Sequence, residues 1–254
     1  MTANPLALIA EVTHRCPLHC VYCSNPLKLV AAKHELSTQE WVHVFSDASR
    51  MGVLHLHLTG GEPAARTDLP ELIAGGRKAG LYTNLITSGI GLSEARLAEL
   101  VEAGLDHIQL SSQDSREEPA RWIAGAKACM GGWGRRLMLI SPSGEVLPCH
   151  AAGIIPGMEF DNVRQHTLDW IWKESAAFQR FRGDKWMPEP CCSCERRTED
   201  FAGCRCQAFL VAGDATATDP VCSLSPNHHL IEAAQLQAKS EPTQISWSYR
   251  TSMG

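Results

Sequence analysis

The eleven cysteines constrain this chain more than any other feature, because of how they are spaced. Three fall within the eight residues Cys16-Pro17-Leu18-His19-Cys20-Val21-Tyr22-Cys23, the next 105 residues hold none, and Cys129, Cys149, Cys191, Cys192, Cys194, Cys204, Cys206 and Cys222 follow. An odd number of thiols cannot pair completely, and Met1-Thr2-Ala3-Asn4-Pro5 lacks the positive stretch of a secretory signal. A reducing, cytoplasmic setting is expected, with metal ligation rather than disulfides as the use of the thiols.

The remaining composition is that of a folded domain protein. At 254 residues, 44% hydrophobic and 20% charged, the chain has enough apolar mass for a core of its own. A formal charge of −5 gives no basic surplus for nucleic acid or anionic lipid. No apolar run reaches the roughly 18 residues of a membrane span.

The first unit of the chain alternates strand and helix signals. Leu6 to Val12, Val53 to Thr59, Leu81 to Thr87 and His107 to Ser112 read as strands. Ser37-Thr38-Gln39-Glu40 is a capping-box signature for a helix to about Arg50, Asp68-x-x-Glu71 opens a second helix containing Gly75-Gly76, and Ser93 caps a third that stops at Gly104. A β-α-β-α-β-α-β order implies parallel strands with chemistry at their carboxyl ends. The residues there are Thr13 to Cys16, Thr59-Gly60-Gly61-Glu62, Thr87-Ser88-Gly89 and Ser111 to Asp114.

Beyond Arg116 the pattern breaks. A hairpin is expected around Ser143-Gly144, an amphipathic helix over His166 to Phe181, and a loosely ordered polar tail after Ser225. The expected organisation is an α/β unit at residues 5–125, a cysteine-rich unit at 126–225 and a polar tail at 226–254.

Three thiolates can hold three irons of a 4Fe–4S cluster and leave the fourth open to another ligand, whereas electron-transfer clusters have every iron capped. Structural zinc is the competing reading, but it takes four ligands and His19 sits awkwardly in the same tight loop. Cys16-x3-Cys20-x2-Cys23 after the first strand, followed by Gly60-Gly61-Glu62-Pro63 at the end of the second, resembles the radical S-adenosylmethionine (SAM) enzymes, whose fold is a partial (β/α) barrel. The resemblance implies a 4Fe–4S cluster on Cys16, Cys20 and Cys23 that chelates SAM, with Gly60, Gly61, Glu62, Tyr22 and Ser88 as cofactor-binding residues.

The second cysteine group resembles the SPASM auxiliary-cluster domain, except that Asp200 stands at one cysteine position. The resemblance implies two auxiliary iron–sulfur clusters, one on Cys191, Cys194, Asp200 and Cys222, the other on Cys129, Cys149 and Cys204, for which Cys206 is the nearest spare thiol to complete the set. Cys192 is left over. Paired zinc sites are the alternative for this region.

Arg15-Cys16-Pro17-Leu18, Tyr22 to Leu27, Leu56 to Pro63, Tyr82 to Leu92, Cys129 to Gly134 and Leu147-Pro148-Cys149-His150 are similar to the PqqA peptide cyclases of pyrroloquinoline quinone (PQQ) biosynthesis. That family implies a glutamate-to-tyrosine carbon–carbon cross-link in the precursor peptide PqqA, delivery by the chaperone PqqD and a reductant such as flavodoxin. It also implies about six βα units. Here Gln109 to Asp114 leads within fifteen residues to Cys129, so the barrel is expected to be truncated, with Arg121 to Lys127 as the junction. A non-catalytic iron–sulfur or zinc remnant that binds PqqA or PqqD is the alternative function. His14, His19, His55, His57 and His150 are candidate bases among which the sequence does not choose.

Overall fold

The computed structural model describes residues 4–18, 20, 23, 25, 26, 28–111, 132–240 and 251–252, with the backbone alone for 237–240 and 251–252. Its centre is a sheet built from β1 (Ala7–Thr13), β2 (His55–Gly60), β3 (Tyr82–Thr87), β4 (His107–Leu110), β5 (Leu137–Ile140) and β6 (Val146–Leu147). Their spatial order is β4-β3-β2-β1-β5-β6, parallel throughout except for the antiparallel β5–β6 hairpin. The expected hairpin around Ser143-Gly144 therefore exists, and it extends the sheet on the free side of β1.

Helices α1 (Thr38–Arg50), α2 (Leu69–Lys78) and α3 (Glu94–Glu102) make the crossovers. Ser37 and Glu40 form the reciprocal capping box at α1, and the Ser93 side chain accepts from the Arg96 amide at α3. Asp68 precedes α2 without capping it, because its carboxylate is taken by Arg66 and Thr38. The glycines inside α2 have a packing reason. A Cβ at Gly75 would lie 2.6 Å from Val42 and one at Gly76 2.7 Å from Leu56, so they let the helix settle against α1 and β2.

Leu8, Ala10, Val12, Leu56, Leu58 and Leu85 alternate toward these helices and meet Trp41, Phe45, Leu72 and Ile73 in the main core. A second, smaller core holds Trp133, Leu139, Leu147, Ile155, Phe181 and Cys206, with Ile9 of β1, Cys149 and Cys204 at its margin. The cysteine-rich part thus has apolar packing of its own.

The helix expected over His166 to Phe181 is broken into α4 (Leu168–Glu174) and α5 (Ala176–Gln179). Ser175, at φ −56° and ψ 129°, leaves the helical region, and the bend turns both Trp172 and Phe178 into the core with ring centroids 5.3 Å apart. Two short helices follow around the late cysteines, α6 (Arg197–Asp200) and α7 (Arg205–Ala212). The tail after Ser225, expected to be loosely ordered, carries α8 (His228–Ser240), and Thr251–Ser252 pairs with Lys28–Leu29. Helix propensity of its Leu, Glu, Ala and Gln residues outweighs the overall polarity. The stretch 112–131, with Cys129 and the expected junction, lies outside the described residues, as do His19 and Tyr22.

Candidate functional site

The carboxyl end of β1 runs straight into the first cysteine loop. Thr13 Oγ1 and the His14 amide both donate to Glu35 Oε1, at 2.7 and 2.9 Å, and the Val30 amide donates to His14 Nδ1 at 2.9 Å. These contacts close the loop from both ends. Inside it, the Leu18 amide donates to Cys16 Sγ at 3.4 Å. Burial pushes the Cys16 thiol up; Leu18 opposes this, and the nearby Glu62, Cys20 and Cys23 add to it. Three thiols and one carboxylate thus share a neighbourhood in which mutual repulsion would be relieved by bound metal.

Gly60 and Gly61 are required by the approach of β2 to that loop. A Cβ at Gly60 would sit 2.4 Å from the Thr13 carbonyl oxygen, and one at Gly61 2.4 Å from that of Arg15. Gly60 also has φ +124°, which favours glycine. The Gly61 and Glu62 amides donate to the carbonyls of Thr13 and Arg15, at 2.6 and 2.7 Å, and Asn25 Nδ2 donates to the Gly60 carbonyl at 3.1 Å. The glycines weld the two strand ends together.

Glu62 is only 1% exposed yet fully partnered. Its Oε1 accepts from Thr87 Oγ1 and the Ala64 amide, and its Oε2 from the amide and hydroxyl of Ser88. Ser88 therefore serves Glu62, fixing the ends of β2 and β3 beside the thiols.

A second assembly lies among the late cysteines. A hollow is lined by Cys191, Cys194, Asp200 and Cys222, with Thr218 and Asp219 also on its wall. Burial, above all, raises the Cys191 thiol, which donates to Thr218 Oγ1 at 3.3 Å. Asp219 is a lining carboxylate that sequence reasoning missed. Its Oδ2 accepts from the Cys204 amide at 2.7 Å and its Oδ1 from the Val221 amide at 3.1 Å, so both oxygens are committed to backbone. Asp200 Oδ1 accepts from the Ala202 amide at 3.1 Å. Three thiols and a carboxylate around one hollow fit an iron–sulfur cluster with one oxygen ligand.

The link from Asp200 to Cys204 is strained. Phe201 and Ala202 have φ of 53° and 61°, left-handed values that cost about 1 kcal/mol or more for a residue with a side chain. Arg205, 1% exposed, holds this link in place. Its guanidinium donates to the carbonyls of Ala202, Gly203, Ala215 and Ala217.

A third grouping brings Cys149 Sγ to 3.7 Å from Cys206 Sγ. Contacts with Cys149 and Cys204, together with burial, drive the Cys206 thiol far up. Cys129, the fourth member expected there, is outside the described residues. Among the described residues, no three His, Cys, Asp or Glu side chains converge as a single ion requires. Cys192 is exposed and does not line the hollow. Of the candidate bases, His57 faces Asn84 at 3.0 Å and its pKa is lowered by burial and by His55, while His14 and His150 both approach Glu11.

Comparison with known proteins bears on this arrangement. Residues 10–136 match the radical SAM superfamily and residues 129–195 the SPASM iron–sulfur cluster-binding domain. A PqqA peptide cyclase of Methylocella silvestris is 40% identical, covering 97% of this chain and 95% of its own, and one of Rhizobium meliloti is 41% identical, covering 97% and 94%. The chain belongs to the radical SAM enzymes of the PqqA peptide cyclase family.

The fold agrees with that of Streptococcus suis SuiB bound to S-adenosylmethionine, at a TM-score of 0.62 and 15% identity over 87% of this chain and 78% of SuiB. BtrN in complex with AdoMet and 2-DOIA gives 0.55 at 18% identity, over 72% and 87%. As a radical SAM and SPASM protein, the chain uses iron–sulfur centres and SAM.

Proposed function

We propose that this chain cross-links a glutamate γ-carbon to a tyrosine ring carbon within the peptide PqqA, as a step of PQQ biosynthesis in the cytoplasm. The observation that carries this reading is the joined end of β1 and β2, where the cysteine loop, Gly60-Gly61 and Glu62 meet without room for a Cβ. The described helices include none long and apolar enough to cross a membrane, in keeping with that compartment. PqqD as the delivering chaperone and a flavodoxin-like reductant complete the proposal.

Cys16, Cys20 and Cys23 would hold the catalytic 4Fe–4S cluster, Cys191, Cys194, Asp200 and Cys222 one auxiliary centre, and Cys129, Cys149, Cys204 and Cys206 the other. When bound, the cluster and SAM supply one-electron cleavage of the sulfonium and hydrogen abstraction from substrate. The protein's part is positional. Glu62, locked by Thr87 and Ser88, keeps a fixed negative charge beside the thiols, in the place where the ammonium of SAM would be received. The backbone of Gly60 and Gly61 lets the cofactor approach the strand ends, and Tyr22 and Ser88 would line the same end.

A second reading, a non-catalytic iron–sulfur protein that binds PqqA or PqqD, is favoured by the shortened sheet. Among the described residues β4 is the last strand on its side, and its Leu110 is 67% exposed. Anaerobic reconstitution with iron, sulfide, reductant, SAM, PqqA and PqqD separates the two. Formation of 5′-deoxyadenosine together with a peptide that has lost two hydrogens supports the cyclase. Peptide or chaperone binding by cluster-loaded protein without SAM cleavage supports the second reading.

A further inference from the structure

Glu11 is the only acidic residue of β1 and lies on the strand face opposite Leu8, Ala10 and Val12. Two residues before it, Ile9 packs at the margin of the core that contains Cys206, as Cys149 does. Glu11 is 7% exposed, and a carboxylate removed from water at a site where an apolar side chain could extend that packing costs several kcal/mol unless it is partnered. Its partners are two imidazoles far apart in the sequence, His14 and His150. His150 Nδ1 is 3.1 Å from Glu11 Oε1, and His14 Nε2 is 3.9 Å from Oε2.

Each imidazole belongs to a cysteine segment. His14 precedes Cys16 by two residues, and the Val30 amide occupies its Nδ1, so its buried Nε2 is the N–H. That Nε2 has no hydrogen-bond partner of its own and faces Glu11. His150 follows Cys149 directly. A single carboxylate on a rigid central strand thus touches the segment that opens the catalytic loop and the segment that carries an auxiliary thiol.

We propose that Glu11 is a positioning residue that fixes the Cys149–His150 segment relative to the Cys16 loop, and so sets the separation between the catalytic centre and the auxiliary centre that includes Cys149. The inference rests on a two-site part of the reading proposed above, a centre on Cys16, Cys20 and Cys23 and a separate auxiliary centre that includes Cys149. Its test uses the full chain, reconstituted anaerobically and reduced, with iron and acid-labile sulfide measured alongside the spin–spin interaction between the two centres by electron paramagnetic resonance. Glu11→Gln keeps an acceptor for His150, Glu11→Leu removes it, and His150→Ala removes the donor at a partly exposed position.

The expected result is full iron loading in all variants, a spin–spin interaction retained in Glu11→Gln and lost or clearly altered in Glu11→Leu and His150→Ala. An interaction unchanged in both of the latter overturns the proposal. If Glu11→Leu does not fold, His150→Ala decides alone. Wild-type protein that shows no second centre refutes the two-site reading itself, and the inference falls with it; a wild-type interaction that neither variant moves refutes the inference alone.

Discussion

Ser88 gives both its amide and its hydroxyl to one oxygen of Glu62, at 2.8 and 2.6 Å, while Thr87 Oγ1 donates to the other at 2.5 Å. Hydrogen bonds to a charged acceptor contribute about 1.5–3 kcal/mol each. Replacing the carboxylate weakens all of them and leaves buried donors poorly paired. Glu62→Gln is expected to lower SAM affinity at least about tenfold, which is about 1.4 kcal/mol. Ser88→Ala should have a smaller effect in the same direction. Equilibrium dialysis on cluster-loaded protein measures both, and unchanged affinity in Glu62→Gln contradicts the assignment.

Gly61→Ala and Gly80→Ala form a matched pair. The new Cβ at position 61 meets the Arg15 and His14 carbonyl oxygens at 2.4 and 2.7 Å, whereas that at position 80 meets nothing within 4 Å. Gly61→Ala must part the ends of β1 and β2, so most of the iron bound at the first loop should be lost. Gly80, at φ +81°, costs only backbone strain of about 1 kcal/mol, with iron content intact. Iron analysis and thermal unfolding read the contrast.

Arg66 and Asp68 predict an acid-dependent stability. Arg66 donates to the carbonyls of Val12 and Leu36 and pairs with both oxygens of Asp68, whose pKa is held down to about 2 by Arg66. A lowered folded-state pKa stabilises above the ordinary value of 3.8 and loses that contribution as pH falls through about 2. The advantage of wild type over Asp68→Asn in urea unfolding should therefore be complete above about pH 4–5, fall steadily toward about pH 2 and vanish only below it. A pH-independent difference contradicts this.

The two adjacent cysteines should behave differently. Cys191 is buried on the wall of the hollow, and Cys192 is exposed away from it. Cys192→Ser is expected to keep its iron and sulfide content, while Cys222→Ser loses an auxiliary centre. Equal loss in both contradicts the ligand set.

The sequence made legible what is local. Gly60-Gly61-Glu62 at the end of a strand, the capping box at Ser37 and the strand–helix alternation are all short-range signals, and the structure carries them at the expected positions. Cys191, Cys194, Asp200 and Cys222 could be grouped only through a family likeness, because the folded chain alone brings Asp200 and Cys222 to one hollow. Asp219 was missed because an acidic residue in a turn carries no signal of its backbone partners. Glu11 and His150 are 139 positions apart, and no spacing rule joins them. The break at Ser175 was hidden because the apolar spacing of Leu168, Ile171, Trp172 and Phe178 is nearly helical throughout. In the tail, polarity was a poor guide, since α8 needs only helix-favouring residues and a packing edge against α7.

The most direct test of the account is the electron paramagnetic resonance spectrum of reduced, anaerobically reconstituted protein with and without SAM. The account predicts that SAM changes one signal, and that Cys16→Ala abolishes that signal while the auxiliary iron remains. A fully iron-loaded, reduced sample in which no signal responds to SAM contradicts it.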